Sequence, residues 1–237
     1  MGSVYQLTLR QLSGRWRIAI MTVLALMPVL LAVMAVSDDT SMSVSGFEIS
    51  VLGAVLTGSI APLIVLAIAA AAFSNELEDR TLANLTLAPI KRWQIAVPKL
   101  LGSITVALPF IAVSAFVTSY IAFLGDPRAV FAVVTASVVG VALYASAFLW
   151  LGLVTTQAIG AGLLYIVLWE GFFSGYVSGV RLLSIRYYAM ALMHGIDERR
   201  FPRTQHVSLT AAIVLSLVIF GGFLFLAVRR LRRMDVP

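Results

Sequence analysis

The chain has 237 residues, of which 60% are apolar and only 12% charged, and its mean hydropathy is +0.98. A soluble domain averages nearer half apolar and about a quarter charged, so this surplus excludes a single water-soluble core and fits a bilayer. There is no cysteine, which excludes disulfides and thiolate metal sites. The net charge of +6 does not point to nucleic acid, because the basic residues sit at the ends of apolar runs, the membrane pattern.

In chain order, Val4 to Arg17 comes first. It sets Val4, Leu7 and Leu12 among Arg10, Arg15 and Arg17, the make-up of a segment lying in the membrane interface or of a basic tail. A helix needs about 20 apolar residues to cross hydrocarbon. Six stretches meet that length: Ile18–Val36, Val51–Phe73, Leu100–Leu124, Val130–Val154, Ala158–Tyr176 and Leu209–Val228. The apolar run of the first is longer than a usual signal-peptide core, so it reads as an uncleaved span. The fifth is interrupted by Glu170 and several glycines. The sequence thus predicts one all-α transmembrane domain over residues 1–237, with polar excursions at 74–98 and 177–208.

Lysine and arginine bias sets the orientation. With the N-terminus inside, inner segments hold Arg10, Arg15, Arg17, Arg80, Lys91, Arg92, Lys99, Arg229, Arg230, Arg232 and Arg233. Outer segments hold only Arg128, Arg181, Arg186, Arg199, Arg200 and Arg203. Both termini are therefore expected in the cytoplasm.

The chain carries no GxxxxGK[ST], so it has no loop of its own to cradle ATP phosphates. It is not expected to be an enzyme, and no cofactor is expected in it. His194 and Asp197 are close in sequence, but two ligands make no metal site. Asn84-Leu85-Thr86 matches a glycosylation acceptor by chance, since it falls on the cytoplasmic side.

The inner excursion is the most patterned stretch. Phe73, Leu77, Thr81 and Leu85 recur every four residues, which places them on one helical face. Glu76 and Arg80 are spaced i, i+4 in the favourable order. Asn75 followed by Glu78 resembles a capping box. Pro89 forces Ala88 out of the helical region and ends the helix. Pro98 suits the first turn of the next span. A short amphipathic helix beneath the membrane is predicted. The residues alone leave open whether it docks a partner or is an ordinary loop.

This segment resembles the hallmark of ABC-2 exporter permeases, whose loop between spans two and three reads roughly ExExxTLxxLxxxPIxRxxxxxxK. Glu76, Glu78, Thr81, Leu82, Leu85, Pro89, Ile90, Arg92 and Lys99 fall on that pattern, while Arg80 stands where the family often has glycine. A weaker likeness to one bacterial branch lies at Trp169-Glu170-Gly171 and Leu183-Ser184-Ile185-Arg186. The resemblance implies that 74–98 is a coupling helix inserting into a separate nucleotide-binding subunit that holds ATP and Mg. It implies two permease chains per transporter, outward transport, a bacterial plasma membrane and an outer-leaflet helical hairpin between spans five and six.

Glu170 is placed inside the hydrocarbon toward its outer side, where a charge is costly. It can cap or pair, with Arg181 or Arg186, to hold the hairpin. It can serve substrate passage, or it can be exposed. Gly171, Gly175 and Gly179 follow at the small-xxx-small spacing of closely packed helices. Val180 to His194 would be the hairpin's second helix. Two rivals remain. A membrane-embedded enzyme would have to use Asp38, Asp39 and Glu48, which no motif joins. A secondary transporter usually shows repeats and several intramembrane charges, and here Glu170 stands alone. The cargo is not legible.

Overall fold

The computed structural model describes residues 2–37, 43–78, 91–173, 184–201 and 208–233. The described residues are helical, with no strand among them. Helix α1 (Gly2–Leu12) precedes α2 (Arg15–Ser37). The second crossing is built from α3 (Val44–Phe47), α4 (Glu48–Ile60), α5 (Ala61–Ala69) and α6 (Ala71–Glu78). Then come α7 (Trp93–Ala122), α8 (Pro127–Val154), α9 (Ala158–Leu164), α10 (Tyr165–Phe173), α11 (Ile185–Ile196) and α12 (Leu209–Arg233).

Among the described residues five helical stretches are long and apolar enough to cross a bilayer: Arg15–Ser37, Glu48–Ser74, Trp93–Ala122, Pro127–Val154 and Leu209–Arg233. Of the stretch predicted as the fifth span, residues 174–176 lie outside the described residues. Ala158–Phe173 is an apolar helix shorter than the other five. Its last half, α10, is a wide i→i+5 helix.

Two hydrophobic clusters mark the two ends of the molecule. One gathers Leu12, Phe73, Ile95, Leu153, Ala158 and Leu231. The other gathers Ala32, Phe47, Phe123, Ala129, Met193 and Ala212. The ends read as cytoplasmic from their arginines thus share one pole, and the ends read as outer share the other. Ile185 belongs to the first cluster and Tyr188 to Met193 to the second. Helix α11 therefore leads from the first cluster to the second.

Helix α8 is central, packing on α5, α7, α11 and α12. Gly152 lets it approach α5: a Cβ there would strike the Ala70 carbonyl. Asp126 caps α8 by accepting from the Arg128 amide at 3.1 Å, and Arg200 Nε donates to it at 3.2 Å. These contacts, the Arg128 amide first, hold the Asp126 carboxyl below the usual carboxylate range. They also tie the loop after α11 to the loop before α8. Near the opposite pole α1 lies along α7, with Tyr5 Oη donating to Thr105 Oγ1 at 3.1 Å.

Boundaries shift from those predicted. Helix α7 starts at Trp93, not Leu100, so Pro98 sits in its second turn. The first helix ends at Leu12, and α12 runs on to Arg233.

Candidate functional site: the cytoplasmic foot and the outer clasp

Two polar constellations interrupt the apolar body. The first joins the second and third crossings at the pole read as cytoplasmic from its arginines. Lys99 is 2% exposed, and its Nζ donates to Glu76 Oε1 at 2.5 Å. The same ammonium donates to the Ala72 carbonyl at 2.5 Å and stands 4.5 Å from the centre of the Phe73 ring. A buried ammonium needs such a set of partners, since desolvation would otherwise exclude it. Glu76 lies on α6, which continues the second crossing as far as Glu78. The pair therefore fixes the start of the patterned segment 74–98 to the base of α7.

The second constellation is a clasp around Glu170. Glu170 is fully buried in α10. Its Oε1 accepts from Tyr165 Oη at 3.0 Å and from the Ile185 amide at 2.9 Å, and its Oε2 accepts from Ser184 Oγ at 2.5 Å. Ser184 in turn caps α11, accepting from the Tyr187 amide at 3.3 Å. The carboxylate thus satisfies a donor that α11 leaves open at its N-terminus. Charge-assisted bonds of this kind are the stronger class. Tyr144 of α8 is buried beside the group, its hydroxyl donating to the Thr57 carbonyl at 3.3 Å. The clasp pins α11 to α10 next to α4 and α8.

A family model described as an ABC-2 family transporter protein matches residues 9–190. The chain belongs to the ABC-2 transporter family. No curated protein matches it. The match runs from α1 into α11 and includes both constellations. An ABC-2 chain of this build is a multi-pass membrane protein and a transporter permease.

Of the ABC-2 hallmark residues, the structure brings Glu76 and Lys99 together. Arg92 stands just before α7, in the turn that starts it. The backbone of Glu78 closes α6. Arg80, Thr81, Leu82, Leu85, Pro89 and Ile90, with most of the predicted coupling helix, lie outside the described residues. The two weaker motif fragments converge, since Glu170 of one binds Ser184 and Ile185 of the other. Arg186 follows on the first turn of α11, while Arg181, Gly175 and Gly179 lie outside the described residues. Gly171 is exposed, and the nearest atom to a Cβ placed there is its own helix's Ile166 carbonyl. Among the described residues no other helix comes within 4 Å of that position.

Glu48 is buried at the start of α4, and Asp38 and Asp39 lie outside the described residues. His194 Nδ1 sits 2.5 Å from the Phe201 carbonyl, and Asp197 accepts from the Arg199 amide. Among the described residues no three histidine or acidic side chains gather as metal ligands. The donors to Glu170 were missed in the sequence, although Ser184 directly before an apolar helical run is an N-cap signal.

Proposed function

We propose that this ABC-2 permease is the membrane half of an ATP-driven exporter, working as a homodimer with two copies of a separate nucleotide-binding subunit. The observation that carries the reading is the buried Lys99–Glu76 pair, on a family background. It supplies a stiff joint between the segment at 74–98 and the third crossing. A push on that segment from below would be passed to α7 and, through α8, to the outer half. In this reading Glu76, Glu78, Arg80, Thr81, Leu82, Leu85, Pro89, Arg92 and Lys99 form the coupling element. ATP and Mg are bound in the partner, which fits a chain without a phosphate loop.

The test is reconstitution. The purified chain alone should show no ATP hydrolysis. Combined in proteoliposomes with a P-loop ATPase subunit that co-purifies with it, it should support vanadate-sensitive hydrolysis, and that rate should respond to substitutions in 74–98. Hydrolysis by the isolated chain, or indifference of the complex to every such substitution, overturns the proposal.

A further inference from the structure

We infer that Arg186 binds the anionic phosphate group of an amphipathic molecule, presented from the outer leaflet beside the clasp. The inference concerns binding alone. It rests on the orientation that puts α11 outside, and not on the coupling to ATP.

A guanidinium is always charged and brings five donors in a planar fork. Arg186 is half-buried on the first turn of α11. Among the described residues it makes no ion pair and no hydrogen bond; the ion pairs formed there are Lys99–Glu76 and Arg200–Asp126. Glu170 and Tyr144 are near enough to act on it electrostatically. Yet the oxygens of Glu170 are engaged by Tyr165, Ser184 and Ile185, so the nearest carboxylate faces other donors.

The neighbouring backbone is shaped to let the side chain through. A Cβ at Gly53 would lie 3.1 Å from Arg186 Nη2, and one at Gly58 would lie 3.0 Å from its Cδ. Both glycines belong to α4, a 13-residue i→i+5 helix. Such wide helices are rare and often mark functional positions. Here the two missing side chains clear a path for the arginine across the helix surface.

The α4 face that Arg186 crosses carries an exposed apolar side chain, Ile49, four residues before Gly53. Surfaces of this kind meet lipid. A guanidinium with no hydrogen-bonded partner among the described residues is costly there, and a partner arriving from the lipid side would satisfy it. Phosphate matches the guanidinium fork with two parallel bonds. A phosphate-bearing amphipath therefore fits both the donors and the apolar surround. The group can be carried by a lipid or a lipid-like cargo, or come free from solution.

The experiment measures thermal unfolding of the full chain in nanodiscs. Phosphatidylglycerol is titrated into phosphatidylcholine in one arm. In the other, inorganic phosphate is added to discs of phosphatidylcholine alone. The parent is expected to rise by about 4 °C with phosphatidylglycerol. Arg186→Lys should keep most of that rise and Arg186→Gln should lose most of it. A rise with inorganic phosphate that Arg186→Gln abolishes supports the same site with a soluble ligand. An equal rise in the parent and Arg186→Gln would assign the effect to the cytoplasmic arginines and overturn the inference. So would a parent that does not respond in either arm, the result expected if a second chain supplies a carboxylate instead. Should Arg186→Gln fail to fold, Gly53→Ala, whose nearest neighbour is Arg186 Nη2 at 3.1 Å, must shift the phosphatidylglycerol midpoint upward at least threefold; an unchanged midpoint counts against the site. Failure here leaves the permease reading intact, and failure of ATP coupling leaves this binding result intact.

Discussion

The ammonium of Lys99 lies 2.5 Å from the carboxylate of Glu76, across 23 residues of chain, and ties the end of the second crossing to the start of the third. The two partners are not equally hidden: Lys99 is 2% exposed and Glu76 16%. That asymmetry gives an expected order of effects. Glu76→Ala strands a buried ammonium on one carbonyl and a ring face, and should cost about 3 kcal/mol. Lys99→Met removes the buried charge and leaves a carboxylate closer to the interface, and should cost about 1–2 kcal/mol. The double variant should recover part of the sum, because contacting residues are not additive. Unfolding midpoints of the four proteins in one detergent provide the check. Equal losses that simply add would show that the pair is not a unit.

The same pair shows where sequence reading reached and where it stopped. Hydropathy located the crossings, because bilayer thickness imposes a length that composition reveals directly. It placed the start of the third crossing at Leu100, since Arg92 and Lys99 look like the edge of a loop. Neither charge stops a helix, because lysine and arginine are good helix formers, and α7 begins at Trp93 with Lys99 paired to Glu76. The wide helix Glu48–Ile60 carries no periodic signal, as each of its apolar residues suits an ordinary helix equally well. Glu170 was legible as a residue needing a partner. Its partners were not, because the sequence drew attention to arginines while the fold supplied hydroxyls and an amide.

A second prediction concerns the segment beyond α6. Leu82→Asp and Glu78→Ala should weaken capture of the ATPase subunit or lower its stimulated hydrolysis, with Leu82→Asp the stronger. It would place a charge in an apolar contact, at a cost of several kcal/mol. Pull-down of the ATPase by the tagged permease, run beside hydrolysis rates, measures both effects. Parent-like assembly and rates for both variants would reduce the segment to a connecting loop.

Orientation can be read chemically, because the parent has no cysteine. Single cysteines at Asn84 and Arg232 should resist a membrane-impermeant maleimide in intact cells and react after permeabilisation. Cysteines at Thr40 and Thr204 should react at once. The opposite pattern would invert the orientation drawn from the arginine bias, and would move Arg186 and its proposed ligand to the inner leaflet.

The last prediction separates the shape of Glu170 from its charge. Three donors converge on its carboxylate: the Tyr165 hydroxyl, the Ser184 hydroxyl and the Ile185 amide. Glu170→Leu removes every acceptor at once. The two hydroxyls can turn away, but the buried Ile185 amide cannot, and an unsatisfied group of this kind costs about 1–3 kcal/mol. Glutamine can be accommodated. Its carbonyl oxygen keeps the bonds from Tyr165 and Ile185, while its amide nitrogen takes the position of the other oxygen. There it can donate to Ser184 Oγ, whose second lone pair remains available beside the Tyr187 amide contact. Glu170→Gln should therefore unfold close to the parent, and Glu170→Leu should unfold earlier and transport less. Tyr165→Phe should be mild, and Ser184→Ala should cost about 1 kcal/mol for the lost helix cap. If Gln fails as badly as Leu in transport while keeping its stability, the charge of Glu170 acts on cargo or on Arg186. If both variants match the parent, the clasp does not hold α11 in place. Thermal unfolding and transport, measured on the parent and the four variants, distinguish these outcomes.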